Sequence, residues 1–405
     1  MTISNQIAGM LALVAAAGAA FGQVAVRGDT VYTMAGDPLQ DAVVVIQDGK
    51  ISRVGAASDV DIPDGFRILR AKIVTPGLID ARCTIGTSGY LNQPHDQDQA
   101  ESSEPMQPEL RAIDAYNPRE TLVSWARGYG VTTLHTGHAP RGLISGQTAI
   151  VKTHGETVDE AVVKPLAMIA ATFGEGARES ESKAPGTRAK MAALLRAEFI
   201  KAQEYATKRE GTDEDKKPDR DLRLEALGRV LAGEVPLLVT AQRAQDILTV
   251  LRIHEEFDIP VVLDGAAEAY ELLDRIRDSQ VPVILHPTMM RSRGETENLS
   301  FETASLLYEA GILTAIQGGY ESYVPKSRLV LFEAGVAAAH GLGFENALRS
   351  ITIDAARILG IDDRVGSIEI GKDGDLALYD EDPFEYTSHC IGVVIDGEVV
   401  SEEIR

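Results

Sequence analysis

The chain has 405 residues, with 61 acidic against 39 basic side chains and a formal charge of −22. That length exceeds one small core and predicts a large domain with a smaller companion, and a composition of 44% hydrophobic and 25% charged residues excludes a disordered or fibrous chain. The acidic excess excludes nucleic acid and anionic membrane surfaces as partners, because both need a basic face, while two cysteines, Cys83 and Cys390, are too few for a disulfide framework or a thiolate zinc site.

Residues 1–22 carry no charged side chain, and residues 10–20 form a short apolar run. Its length suits a signal peptide better than a membrane span. Ala20 and Gly22 put small residues where a signal peptidase reads, so cleavage before Gln23 and export to the periplasm or the medium are expected. The n-region has no Lys or Arg, and the competing reading is an apolar helix on a cytoplasmic protein. No other stretch is apolar enough over a sufficient length to span a bilayer.

Residues 23–72 read as strands and turns. A β-branched run at residues 43–46 is followed by Asp48-Gly49 and then residues 51–54, which is a hairpin signature. Residues 365–405 have the same character, with residues 367–370, 375–379 and 393–395, then Asp396-Gly397, then 399–400. Neither end can bury a core alone, so the two are expected to pair into one small β-sandwich. Between them, over 73–364, eight short apolar runs alternate with helical stretches: 72–79, 131–136, 149–152, 166–172, 237–240, 260–263, 282–285 and 313–316. Such alternation predicts a parallel sheet buried on both faces, as a (β/α)8 TIM-like barrel or a doubly wound sheet. A helical insertion is expected over about 187–232, with Met191, Leu194, Leu195, Phe199 and Ala202 on one face. The charged run at residues 210–221 reads as a solvated loop.

Several segments carry a family resemblance. They are Thr75-Pro76-Gly77-Leu78-Ile79-Asp80, Gly130-Val131-Thr132-Thr133, the Gly-Gln stretch from Gly146 to Thr153, residues 355–360, 365–368, and Gly371-Lys372-Asp373-Gly374-Asp375-Leu376. Together they resemble the amidohydrolase superfamily, in its imidazolonepropionase-like and prolidase-like branch. The resemblance runs in order along nearly the whole chain after the leader. It implies a barrel with a composite β-sandwich and a divalent metal, zinc or another, that activates water. It also implies metal ligands: a His-x-His pair on the first barrel strand, histidines on strands five and six, and an aspartate on strand eight.

At those positions this sequence has Arg82 and Thr84, Thr240 and Gln242, Gly265, and Gly319. None is a good ligand for a transition metal. A guanidinium stays protonated, and at about 4 Å and an effective dielectric of about 20 it would repel a dication by roughly 8 kcal/mol before relaxation. The expectation is therefore no resident cofactor. A relocated metal site would have to use His138, His154 and His286, with Asp80, Asp264 and Lys152 also near the barrel mouth; scattered loop and core histidines are the preferred reading. Lys152 suits a structural or pocket-lining cation better than a carboxylated metal-bridging lysine. Arg82, Gln242 and Arg243 could bind a carboxylate or amide, or Arg82 could fill the vacated volume against Asp80 or Asp264.

Two functions follow. The first is a non-catalytic amidohydrolase relative that binds a small molecule or partners an active paralogue or another copy of itself. The second is a divergent hydrolase of carbon–nitrogen bonds other than peptide or cyclic amide, with a moved or metal-free site.

Overall fold

The computed structural model describes residues 22–91, 93–179, 185–211, 217–289, 293–320 and 329–405. The expected leader lies outside the described residues, except for Gly22. From the start of the described chain come β1 (Val24–Val31), β2 (Leu39–Gln47), β3 (Lys50–Ala56) and β4 (Arg67–Pro76). The middle of the chain supplies β5 (Leu78–Cys83), β6 (Val131–Thr136), β7 (Ile144–Gln147), β8 (Ala149–Lys152), β9 (Val162–Lys164) and β10 (Ile169–Thr172), then β11 (Leu237–Ala241), β12 (Val261–Gly265), β13 (Val283–Leu285) and β14 (Thr314–Ile316). The chain closes with β15 (Leu376–Tyr379), β16 (Cys390–Ile395) and β17 (Glu398–Ser401).

Both chain ends enter one seven-stranded sheet, in the order β17-β16-β15-β4-β1-β2-β3. The join is antiparallel, from Leu376 opposite Pro76 to Tyr379 opposite Ile73. Hydrogen bonding thus makes a single sheet rather than the two facing sheets expected of a sandwich. Each end carries the same tight turn. Asp48 and Gly49 have φ of 52° and 77°, and Asp396 and Gly397 have 48° and 78°. Both pairs meet the left-handed requirement of a two-residue hairpin loop. Residues 367–370, which read as strand, form none. Gly366 and Gly371 bracket them at φ of 90° and 93°, and the Ile368 amide donates instead to the Thr33 carbonyl at 2.8 Å.

The first apolar run of the middle region divides at Gly77. Residues 72–76 stay in β4, and the barrel begins with β5. Gly77 lies so close to Thr132 that an added Cβ would overlap that side chain. Strands β10 to β14 are mutually parallel, as are β5 and β6. A lone parallel bridge, Cys83 to Gly319, links β5 to the chain just beyond β14.

The third position departs from the all-parallel expectation. Strands β7 and β8 form one run, interrupted at Thr148, that is antiparallel to both neighbours: β7 to β10 and β8 to β6. The reason is the connection. Only residues 137–143 separate β6 from β7, and a parallel crossover needs a dozen or more residues. The result is a mixed α/β, TIM-barrel-like body in sheets of six and four strands, whose ladders meet at Thr148 and at the Cys83–Gly319 bridge rather than merging.

The expected insertion contains the helix Arg188–Glu210, capped by the Thr187 hydroxyl, and the helix Leu222–Leu231, capped by Asp221. Met191, Leu195, Phe199 and Ala202 form the buried stripe of the first helix. Residues 212–216 of the charged run lie outside the described residues.

Candidate functional site at the barrel mouth

Strand alternation builds the site. Ile79, Leu238, Val262, Ile284 and Ala315 share one buried cluster with Ala355, Ala356, Ile358 and Leu359 of the helix Ile353–Leu359. That helix plugs the barrel floor. Two residues further along the strands, on the same face, the sequence turns polar: Thr240, Asp264, His286 and Gln317, all under 10% exposed. Asp264 is fully buried. Its Oδ1 accepts from Gln317 Nε2 at 2.5 Å, and its Oδ2 accepts from the Thr240 hydroxyl and from Tyr320 Oη, the latter at 3.0 Å. Burial, and secondarily the charge of Asp264, push the Tyr320 phenol well above its ordinary pKa, so it stays a donor.

Arg82 is 1% exposed. Its guanidinium donates to the His138 carbonyl and, at 3.3 Å, to the Cys83 carbonyl. Its Cζ stands 5.9 Å from the centroid of the Tyr320 ring. The cation therefore turns to backbone oxygens, where Asp80 or Asp264 had been the expected partners. Asp80 Oδ1 instead accepts from the Gly318 amide at 2.9 Å and from the Arg82 amide at 3.3 Å.

Arg82 and Asp264 both meet Tyr320, which directly follows Gly319 in the chain. Gly319 has φ +83°, and a Cβ on it would stand 2.5 Å from the His286 ring; Gly265 has φ +80°, and a Cβ there would stand 2.5 Å from Gln242 Nε2. The Gln242 carbonyl oxygen is engaged by the Ala267 amide at 3.1 Å. Thr84 is buried beside Ser88, at 3.1 Å between hydroxyls. Arg243 lies on the loop after β11, paired with Glu297 at 2.9 Å and with Glu268 at 3.7 Å.

Other candidates lie elsewhere. Lys152 is not at the mouth. It joins the barrel to the terminal sheet, with Asp375 at 2.5 Å, Asp373 at 3.1 Å and Asp396 at 3.2 Å around its ammonium. Burial alone would lower its pKa, but the three carboxylates outweigh it and hold it above the ordinary lysine value. His154 pairs with Glu398 of β17 at 3.2 Å. Both placements follow from the reversed third strand, because Lys152 lies opposite Thr133 near the start of β6. A parallel strand would have delivered both residues to the mouth.

Among the described residues, His138 has no hydrogen-bond partner at either ring nitrogen. Burial, then Arg82, lowers its pKa to about 4, leaving it neutral. His286 packs edge-on to Tyr320, with Nδ1 4.0 Å from Glu333. His138, His154 and His286 thus have separate surroundings. Among the described residues, no group of three or more His, Cys, Asp or Glu side chains is arranged to hold a metal ion. Cys83 and Cys390 are both buried and free.

Above the polar layer opens a cavity of about 610 Å³. Thr240, Gln242 and Tyr320 line its floor side, Thr172 and Phe173 follow from β10, and the loops contribute Gln99, Arg141, Glu175, Arg178 and Glu295. Sequence reading overlooked Tyr320, Arg141 and Arg178. Tyr320 was signalled only by its place beside Gly318-Gly319, and the two arginines by nothing beyond lying in loops after strands.

The model of the amidohydrolase family matches residues 319–401. Amidohydrolase tasK of Hapsidospora irregularis is 24% identical over 387 residues, covering 87% of this chain but only 39% of that longer protein. An imidazolonepropionase of Sphingopyxis alaskensis is 26% identical over 408 residues, or 87% of this chain and 91% of that one. The crystal structure of an amidohydrolase from Thermotoga maritima superposes with a TM-score of 0.88 at 30% identity, covering 94% of this chain and all of that one. The chain belongs to the amidohydrolase superfamily, in the branch that includes the imidazolonepropionases.

Proposed function

We propose that this chain is an amidohydrolase relative without a resident metal, whose barrel mouth binds a small molecule rather than hydrolysing it. The observation that carries the reading is Arg82. A guanidinium, fixed by the carbonyls of His138 and Cys83, occupies the end of β5 where the family resemblance calls for a metal-binding imidazole. The other resemblance-derived positions offer two hydroxyls, an amide and two glycines. Asp264 is a carboxylate, but Thr240, Gln317 and Tyr320 already use both its oxygens. This donor set does not suit a divalent ion. Incubation with zinc or manganese, followed by desalting and elemental analysis, is expected to leave far less than one metal per chain. Stoichiometric metal, or chelator-sensitive amide hydrolysis, would overturn the proposal.

A second reading is a divergent hydrolase of carbon–nitrogen bonds. It is favoured by the whole-length likeness to an amidohydrolase and to an imidazolonepropionase. Turnover of linear, non-peptide amides unaffected by chelator would support it. Export belongs to either reading and rests on the uncharged apolar leader; N-terminal sequencing of secreted material starting at Gln23 is the expected outcome. Association with an active paralogue or a second copy is likewise part of the binding reading, with sizing by light scattering as its check.

A further inference from the structure

The cavity at the mouth is charge-balanced in an acidic chain. Overall the protein carries −22, yet Arg141 and Arg178 match Glu175 and Glu295 among the charged side chains lining this cavity. Neither guanidinium has an ion-pair or hydrogen-bond partner among the described residues, whereas Arg188, Arg223 and Arg243 nearby are each salt-bridged. The loops that present the two are tied together, with the Gly142 amide donating to the Gly176 carbonyl at 3.1 Å. Beneath them Thr172 is 3% exposed, and its hydroxyl has no hydrogen-bond partner among the described residues. Thr172 also lines the cavity. An unpartnered buried hydroxyl is costly and is relieved by a ligand atom. Gln242 adds a side-chain amide whose oxygen is already used by Ala267, leaving Nε2 to donate.

We propose that this cavity is a binding site for a small organic carboxylate, held by Arg141 and Arg178 with Thr172 and Gln242 completing its hydrogen bonds. The proposal rests on the binding reading above. Guanidinium forks suit a planar carboxylate. A phosphate dianion is disfavoured, because Glu175 and Glu295 face the same space. Glu295 is pinned there by Arg188 at 2.5 Å and by the Glu175 amide at 2.9 Å.

The test uses the full chain and saturation-transfer NMR with propionate, its neutral counterpart propionamide, and inorganic phosphate. Propionate should receive magnetisation, propionamide should not, and phosphate should compete only weakly. Arg141→Gln and Arg178→Gln should each weaken propionate by about tenfold, which is about 1.4 kcal/mol, and Thr172→Val should weaken it less. All three sites are near the surface or conservative, and unchanged melting curves confirm that the variants fold. Equal signals from propionate and propionamide, no propionate signal, stronger competition by phosphate, or retained binding in the double arginine variant would each overturn the proposal. Metal content is measured separately. Carboxylate binding that persists after chelation supports both readings, whereas binding restored only by zinc would sink the metal-free reading and keep this one.

Discussion

Replacing Lys152 with methionine keeps the side-chain length and removes the charge that joins barrel to sheet. Three aspartates surround that ammonium, but they do not lose equally. Asp373 retains Lys50 at 2.5 Å and Arg364 at 2.8 Å, and the Asp396 side chain is 39% exposed, so water screens it. Asp375, 3% exposed, is left without a cationic partner among the described residues. The loss therefore approximates one buried, uncompensated carboxylate, about 3–5 kcal/mol. Its pH dependence has a definite sign. Burial already raises the Asp375 carboxyl above its ordinary value despite Lys152, and removing Lys152 raises it further. A carboxyl raised in the folded state penalises folding in full above its folded pKa, and the penalty fades as pH falls through that value toward the lower, unfolded one. For Asp373 burial raises the carboxyl, but Lys152, Lys50 and Arg364 prevail and hold it below the ordinary value. Its contribution in the unmodified protein is present above the unfolded pKa and fades only below about pH 4. Urea unfolding of Lys152→Met should thus show its largest deficit near about pH 8 and a smaller one near about pH 5. A deficit below about 1 kcal/mol, or one independent of pH, would refute the view that Lys152 neutralises a buried aspartate.

Further outcomes test the mouth. Gly319→Ala should destabilise by about 1–3 kcal/mol in thermal melts, since φ is +83° and the new Cβ would press on His286. Asp264→Asn replaces a three-way acceptor with a group that also donates, and should cost about 2–3 kcal/mol by the same assay. In Arg82→Leu the His138 imidazole should titrate above its present value of about 4, because one of the two causes of its depression is gone; NMR titration of the ring reads this directly. Chelator treatment should leave the melting temperature unchanged if the proposed metal-free reading holds.

The fold was legible wherever one residue pattern has one structural outcome. Asp48-Gly49 and Asp396-Gly397 between β-branched runs can hardly be anything but hairpin turns. The apolar runs at 237–240, 260–263, 282–285 and 313–316 all became strands, because continuous burial on two faces leaves no polar phase to misread. Strand direction was not legible from composition. The run at 149–152 looks like its neighbours, and only the short connection at 137–143 betrays its reversal. That single error carried Lys152 and His154 to the wrong pole. The approach of Arg82, Gly265 and Gly319 to one mouth followed from strand ends, which alternation fixes. The use of Tyr320 as the link to Asp264 depends on a loop residue whose position no period dictates.

The backward third strand has a consequence for how the chain assembles. Between residues 131 and 172, β6, β8, β9, β7 and β10 pair with near neighbours in sequence, so their contacts close short loops at small entropic cost. Parallel pairs such as β10 with β11 must first enclose the long helical excursion between them. A local meander of this kind lowers contact order in one stretch of an otherwise slow topology. Pulse-labelled amide exchange during refolding should find this segment protected before the parallel strands β11 to β14 are.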